Sequence, residues 1–368
     1  MSGLDELSDL GVSVWLDDLG RKRLRTGGLR QLIDDRCVVG VTTNPSIFAA
    51  AVGDGAEYAE QLATLASLDS SPETAVRALT VADVSDACDV LAPVYESSNR
   101  VDGRVSLEVD PRLSGNTEAT TQEAKALWQA VNRPNLMVKI PGTEAGLPAI
   151  TSALAAGVSV NVTLIFGLKR YQAVTQAWLA GLEQAASNGH DIADIGSVAS
   201  FFISRFDSAV DKQLDAIGTD EARQLRGLTA VANGALAYAH FESMLKDDRW
   251  LALQAKGARP QRPLWASTST KDPTFPDTKY VVEMAAPNTV NTMPPGTIEA
   301  TFDHGVLAQP SPVLDAEGAQ EILTNLELVG VNYDTVVADL ETAGVEAFEK
   351  SWLELIAAVG RALASQAP

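Results

Sequence analysis

Short β-branched runs alternate with longer segments of helical period up to about residue 290 of this chain. That alternation constrains the fold most. A strand followed by a helix, repeated, returns each strand parallel to the last and stacks helices against a parallel sheet. The pattern predicts strands at 12–17, 38–43, 104–109, 136–140, 158–164, 198–203, 264–268 and 280–285. Helices are expected at 118–131, 168–187, 206–216, 220–246 and, after the last strand, 316–365. Eight such units fit a (β/α)8 TIM barrel, with a doubly wound open sheet as the alternative. The long connection from residue 45 to 103 predicts extra helices after strand 2. Residues 288–312, with MPPG and QPSP, read as a long loop before a C-terminal helical segment, 314–368. No repeat, low-complexity stretch or linker divides the sequence, so residues 1–368 are expected to form one barrel domain.

Composition narrows the class of function. The chain has 368 residues, of which 46% are apolar and 21% charged. A chain of this size buries roughly three quarters of its unfolded surface and needs no disulfide or metal to hold it. Its two cysteines, Cys37 and Cys88, are far apart, which excludes a disulfide framework and points to a reducing, cytoplasmic setting. A net charge of −20 argues against nucleic acid or an anionic membrane as partner, but a local positive pocket can still hold a small anion. The start, MSGLDELSDL, lacks the basic and apolar regions of a secretory leader. The uncharged stretch 145–168 holds Pro148, Gly157, Asn161 and several hydroxyls. It reads as a short helix, a glycine stop and a buried strand rather than a membrane span. Monomer and homodimer both remain open.

In a closed parallel barrel, both faces of each strand are covered, so polar residues at inward positions ask for a reason. In 158–164, Val158, Val160, Val162 and Leu164 alternate with Ser159, Asn161 and Thr163; period 2 puts the first set outward and the second inward. The same parity sends Ser13, Trp15 and Asp17 inward, as well as Ser106, Glu108 and Asp110. It also sends Met137 and Lys139 inward, and Val38, Gly40, Thr42 and Asn44. Asp17, Asn44, Glu108, Lys139, Asn161, Thr163, Ser200 and Ser267 therefore converge late in separate strands, at the C-terminal rim where barrel active sites lie. Each alone could be a hydrogen-bonded core polar residue. One lysine and two acids in the same ring demand pairing or shifted ionisation.

A lysine in such a ring suggests covalent chemistry. An ordinary lysine, with a pKa of about 10.4, is almost wholly protonated at neutral pH. Apolar neighbours such as Met137, Val138 and Ile140 would desolvate the ammonium and favour the amine that attacks a carbonyl. A carboxyl group beside it can move the protons of carbinolamine formation and dehydration. A plain Lys139–Glu108 ion pair is the alternative reading.

Five segments, VTTNPS (41–46), VSLEVDPRLS (105–114), LMVKIPGT (136–143), VNVTLIF (160–166) and SFFISR (200–205), together resemble the transaldolase family. WLDDL near the start and NTMP (291–294), after the last expected strand, resemble its longer bacterial subfamily. The resemblance implies a class I aldolase-type barrel that needs no metal or organic cofactor. It implies transfer of a dihydroxyacetone unit from sedoheptulose 7-phosphate to glyceraldehyde 3-phosphate, giving erythrose 4-phosphate and fructose 6-phosphate. The family's Schiff-base lysine falls on Lys139, its water-activating glutamate on Glu108, and the aspartate that takes the proton of the C4 hydroxyl on Asp17. Substrate-binding positions fall on Thr42, Asn44, Asn161 and Thr163, and phosphate-binding ones on Ser200 and Arg205. The segment WASTSTKD departs from the pattern: Ser267 matches the family's serine, but Ser269 stands where a second arginine is common and Lys271 is the nearest cation. Lysine binds phosphate without the guanidinium fork.

His190, His240 and His304 are isolated from one another, and RTGG (25–28) lacks the context of a dinucleotide loop, so no metal or nucleotide site is expected. Two rivals stay open. One is a related aldolase that releases or adds free dihydroxyacetone; the other is a catalytically retired barrel that only binds sugar phosphates.

Overall fold

The computed structural model describes residues 2–53 and 55–366. Residues 1, 54, 367 and 368 of the expected span lie outside the described residues. Among the described residues, eight parallel strands close in chain order into a barrel. They are β1 (Val12–Asp17), β2 (Val38–Thr42), β3 (Arg104–Glu108), β4 (Leu136–Pro141), β5 (Val160–Ile165), β6 (Ser197–Phe202), β7 (Arg262–Ala266) and β8 (Thr289–Met293). The period-2 reading separates two apolar layers. Val14, Leu16, Val105, Leu107, Val138, Ile140, Val160 and Val162 pack outward against helices. Trp15, Met137, Val198, Leu264 and Val290 fill the barrel. Register sets Asp17 beside Thr42, Glu108 beside Lys139, and Lys139 beside Asn161.

The other end of the barrel is closed by a polar plug. Arg262 pairs with Asp102 at 2.9 Å and donates to Ser13, while Trp15 Nε1 donates to Asp102. Open space for a ligand therefore lies at the C-terminal rim.

The structure corrects several expectations. The apolar run 280–285 is not the last strand: Lys279–Val282 is a short helix, and β8 is Thr289–Met293, inside the stretch read as a loop. That stretch also holds the helix Pro295–His304. In β2 a bulge moves the register from Val38 to Gly40 across β1, so Val38 faces outward and Val39 packs inward. Gly40 is required there, since a Cβ would stand 2.5 Å from the Trp15 ring. A second irregularity in β5, with Leu164 at φ 60°, turns Leu164 into the barrel rather than out. Asp110 lies beyond β3 and pairs with Arg112, outside the barrel ring. The helix expected over 220–246 is broken at Gly227 (φ 71°) into Asp220–Gln224 and Thr229–Met244.

After β2, the helices Pro45–Gly53, Ala59–Ser67 and Pro72–Ser97 supply the expected insertion. At the C-terminus, Ala316–Leu328 and Tyr333–Ala364 form a pair of helices, and the second crosses the barrel mouth and sends Phe348 into the inner cluster. Among the described residues, no helix is long and apolar enough to cross a membrane.

Candidate active site

Lys139 stands late in β4, 5% exposed, with the Glu108 Oε2 of β3 3.6 Å from its Nζ. The Nζ donates to the Thr43 carbonyl at 3.1 Å. Glu108 is 4% exposed, and neither of its carboxyl oxygens has a hydrogen-bond partner among the described residues. Burial drives its pKa up to about 7, against the pull of Lys139. Burial also raises the pKa of Asp17, opposed by Lys139 and by the Thr42 hydroxyl, which donates to Asp17 Oδ1 at 2.7 Å. Burial thus pushes both acids towards the neutral form, against the pull of the buried lysine beside them.

The surrounding polar groups are ordered in a chain. Ser200 donates to Asn161 Oδ1 at 2.7 Å, and Asn161 donates to Ser106 at 3.0 Å. Thr163 is fully buried and its hydroxyl has no partner among the described residues. Asn44 lies just past β2, where its side chain accepts from Ile47 N–H at 3.1 Å and starts the helix Pro45–Gly53.

Arg205 sits in the first turn of the helix Ser204–Ile217. The start of that helix is tied to the end of β7, because the Ser204 N–H donates to the Ser267 carbonyl and the two hydroxyls stand 3.0 Å apart. Ser267 holds a left-handed backbone (φ 57°), a cost that points to a constrained, functional position. The nearby acids do not neutralise Arg205. Asp207 accepts from Thr229, Tyr280 and the Ala230 N–H, and Asp211 accepts from the Gly227 N–H. The Arg205 guanidinium instead lies over the Phe202 ring, 5.4 Å from its centroid. Lys271 is exposed and donates to Ser269 at 2.7 Å.

A cavity of ≈ 180 Å³ opens among these side chains. It is lined by Asp17, Thr42, Asn44, Lys139, Thr163, Ser200, Arg205, Ser267 and Lys271, so nine of the eleven residues singled out in the sequence share one wall. Glu108 and Asn161 lie just behind it, through Lys139 and Ser200. A larger hollow of ≈ 720 Å³ opens beside Asp18 and Tyr58 but contains none of the acid–lysine set. Its arginines 21 and 23 are paired with Asp83 and Asp18.

Besides Phe202 and Ala266 at the ends of β6 and β7, sequence reasoning missed three contributors to the cavity. Thr292 and Pro294 come from the true β8, and the Thr292 hydroxyl stands 2.6 Å from that of Thr42. Phe348 comes from the C-terminal helix. The NTMP segment contained the first two, and an apolar helical face at 337, 340, 344 and 348 was the available sign of the third.

The comparisons with known proteins agree with this geometry. The family model for transaldolase/fructose-6-phosphate aldolase matches residues 14–359. The chain is 57% identical over 364 residues to a transaldolase of Thermobifida fusca (strain YX), covering 99% of each chain. It is 55% identical over 360 residues to a transaldolase of Frankia alni, covering 98% of this chain and 97% of that one. It is 53% identical over 365 residues to transaldolase 2 of Streptomyces coelicolor, covering 99% and 98%. With its lysine and two acids on the rim of an eight-stranded barrel, the chain belongs to the transaldolase/fructose-6-phosphate aldolase family.

Proposed function

We propose that this chain is a transaldolase that carries a dihydroxyacetone unit on Lys139 from sedoheptulose 7-phosphate to glyceraldehyde 3-phosphate, in the non-oxidative pentose phosphate pathway. The observation that carries this reading is Lys139 itself, buried 3.6 Å from a carboxyl group whose pKa lies at about 7. The full-length likeness to proteins named transaldolase favours transfer over simple release of dihydroxyacetone. Coupled assays with and without an aldose phosphate acceptor separate the two: turnover of fructose 6-phosphate that depends on acceptor supports transfer. Equal turnover without acceptor would indicate an aldolase.

In this reading, Lys139 attacks the C2 carbonyl of the ketose phosphate, and Glu108 moves protons through a water held by its two free oxygens as the carbinolamine forms and loses water. Asp17, fixed by Thr42, takes the proton of the C4 hydroxyl as the C3–C4 bond breaks. Thr42, Asn44, Asn161 and Thr163 hold the sugar hydroxyls. Arg205 and Ser200 hold the phosphate, with Ser267 and Lys271 secondary. Residues 1–368 act as one domain, cytoplasmic and without nucleic acid as partner. The two free cysteines and the net charge of −20 support that setting. The active unit is a monomer or a homodimer.

Arg205 gives a direct test of the phosphate end. No arginine stands at Ser269, so Arg205 should carry most of the anchoring. Losing a charge-assisted contact costs about 1.5–3 kcal/mol, or roughly 10- to 150-fold in binding. Arg205→Ala should raise KM for fructose 6-phosphate by that factor, far more than Lys271→Ala, and spare borohydride trapping of unphosphorylated dihydroxyacetone. Equal losses with both substrates would assign Arg205 to the fold instead.

A further inference from the structure

The helix Tyr333–Ala364 is fastened across the barrel mouth from several points. Tyr333 Oη donates to Asn233 at 2.7 Å and accepts from the Leu168 N–H at 3.0 Å. Lys169 pairs with Asp334 and Arg170 with Glu341, tying it to the helix Leu168–Ser187. Val337, Leu340, Val345 and Phe348 fall on one face and pack with the inner cluster of the barrel. Gly344 permits the close approach: a Cβ there would stand 3.1 Å from the Phe166 ring. Phe348 ends 7% exposed, its ring centroid 5.4 Å from Lys139 Nζ and 6.5 Å from that of Phe202.

A ring in that place acts on a lysine that becomes an iminium in two ways. Its face attracts the cation, and its bulk keeps solvent from the carbon bonded to nitrogen. The shielding matters once the C3–C4 bond has broken and the first aldose has left, with the three-carbon unit held on Lys139 as a neutral enamine whose protonation at C3 gives the iminium that water attacks. In transfer, C3 of the enamine bonds to the carbonyl carbon of the acceptor. In release, C3 takes a proton, water adds to C2, and the C2–N bond breaks. Free dihydroxyacetone then leaves and the lysine returns as an amine. Water and its protons balance the second route, and nothing is oxidised or reduced.

We propose that Phe348 determines this partition, shielding the Lys139 adduct from water so that the three-carbon unit waits for an aldose instead of being released. The proposal rests on the Schiff-base reading of Lys139. The test uses fructose 6-phosphate as donor and erythrose 4-phosphate as acceptor, and measures dihydroxyacetone released per unit transferred. Phe348→Ala should raise that ratio roughly three- to tenfold. Gly344→Ala, whose Cβ would press on the Phe166 ring at 3.1 Å and disturb the seating of Phe348, should move it the same way and serves alone if Phe348→Ala does not fold. Borohydride with fructose 6-phosphate should still label Lys139 in both variants. An unchanged ratio in folded, labelled variants would overturn the role of Phe348. Absence of label in the unaltered enzyme would remove the Schiff-base reading, and this proposal with it.

Discussion

Lys139→Met should abolish turnover, lowering kcat by on the order of 10⁴-fold or more, as loss of a covalent nucleophile does in other enzymes. Methionine keeps the apolar stem and the contacts of β4 but removes the amine. The outward neighbours Val138 and Ile140 are fully buried, so the strand is held independently of the side chain that is changed. The loss should therefore appear in kcat with the melting temperature nearly preserved. Retained activity in a folded Lys139→Met enzyme would mean that the rim performs different chemistry.

The two acids should separate by step. Loss of a positioned acid–base group costs on the order of 10²–10⁴ in rate. Glu108→Gln should slow both the appearance and the hydrolysis of the borohydride-trappable adduct, because its water lies on the path into and out of the Schiff base. Asp17→Ala should form the adduct from fructose 6-phosphate but cleave it poorly. If Asp17→Ala forms no adduct yet cleaves preformed adduct normally, the assignments are reversed. Stability supplies an independent check. The Glu108 carboxyl is raised from 4.5 to about 7 on folding, so the folded state binds a proton more tightly than the unfolded state. Its favourable contribution is present in full below about pH 4.5 and is lost as pH rises through about 7. Glu108→Gln, which cannot ionise, should gain stability relative to the parent between pH 5 and pH 8, by up to about 3 kcal/mol. A difference in melting temperature that stays flat across that range would contradict the raised pKa.

Most of the barrel was legible because β1 to β5 carry outward valine, leucine and isoleucine, while β6 and β7 turn Ala199, Phe201 and Trp265 to the helices. The eighth was not, and the cause is physical. TVNTM places Thr289 and Asn291 on its outward face, bonded to the carbonyls of Ala286 and Tyr280, and so lacks the apolar alternation. YVVEMAA has the apolar run of a strand, but a short buried run does not distinguish strand from helix. The rim acids and lysine were legible because a charge on the inner face of a barrel strand breaks its parity. Val38 and Leu164 were misplaced by irregularities that flip the faces on one side of each and leave no mark in the pattern. Phe348 was hidden for another reason. Its helix was visible, but where that helix docks depends on Gly344 meeting Phe166 and on Arg170 meeting Glu341, contacts between segments distant in sequence.

The central claim is that Lys139 carries the three-carbon unit, and borohydride reduction during turnover of fructose 6-phosphate tests it most directly. The reduced enzyme should be inactive, and peptide mass analysis should find one dihydroxyacetone-derived addition, on the peptide containing Lys139. Addition to a different lysine, or full activity after reduction with no addition anywhere, would contradict the account.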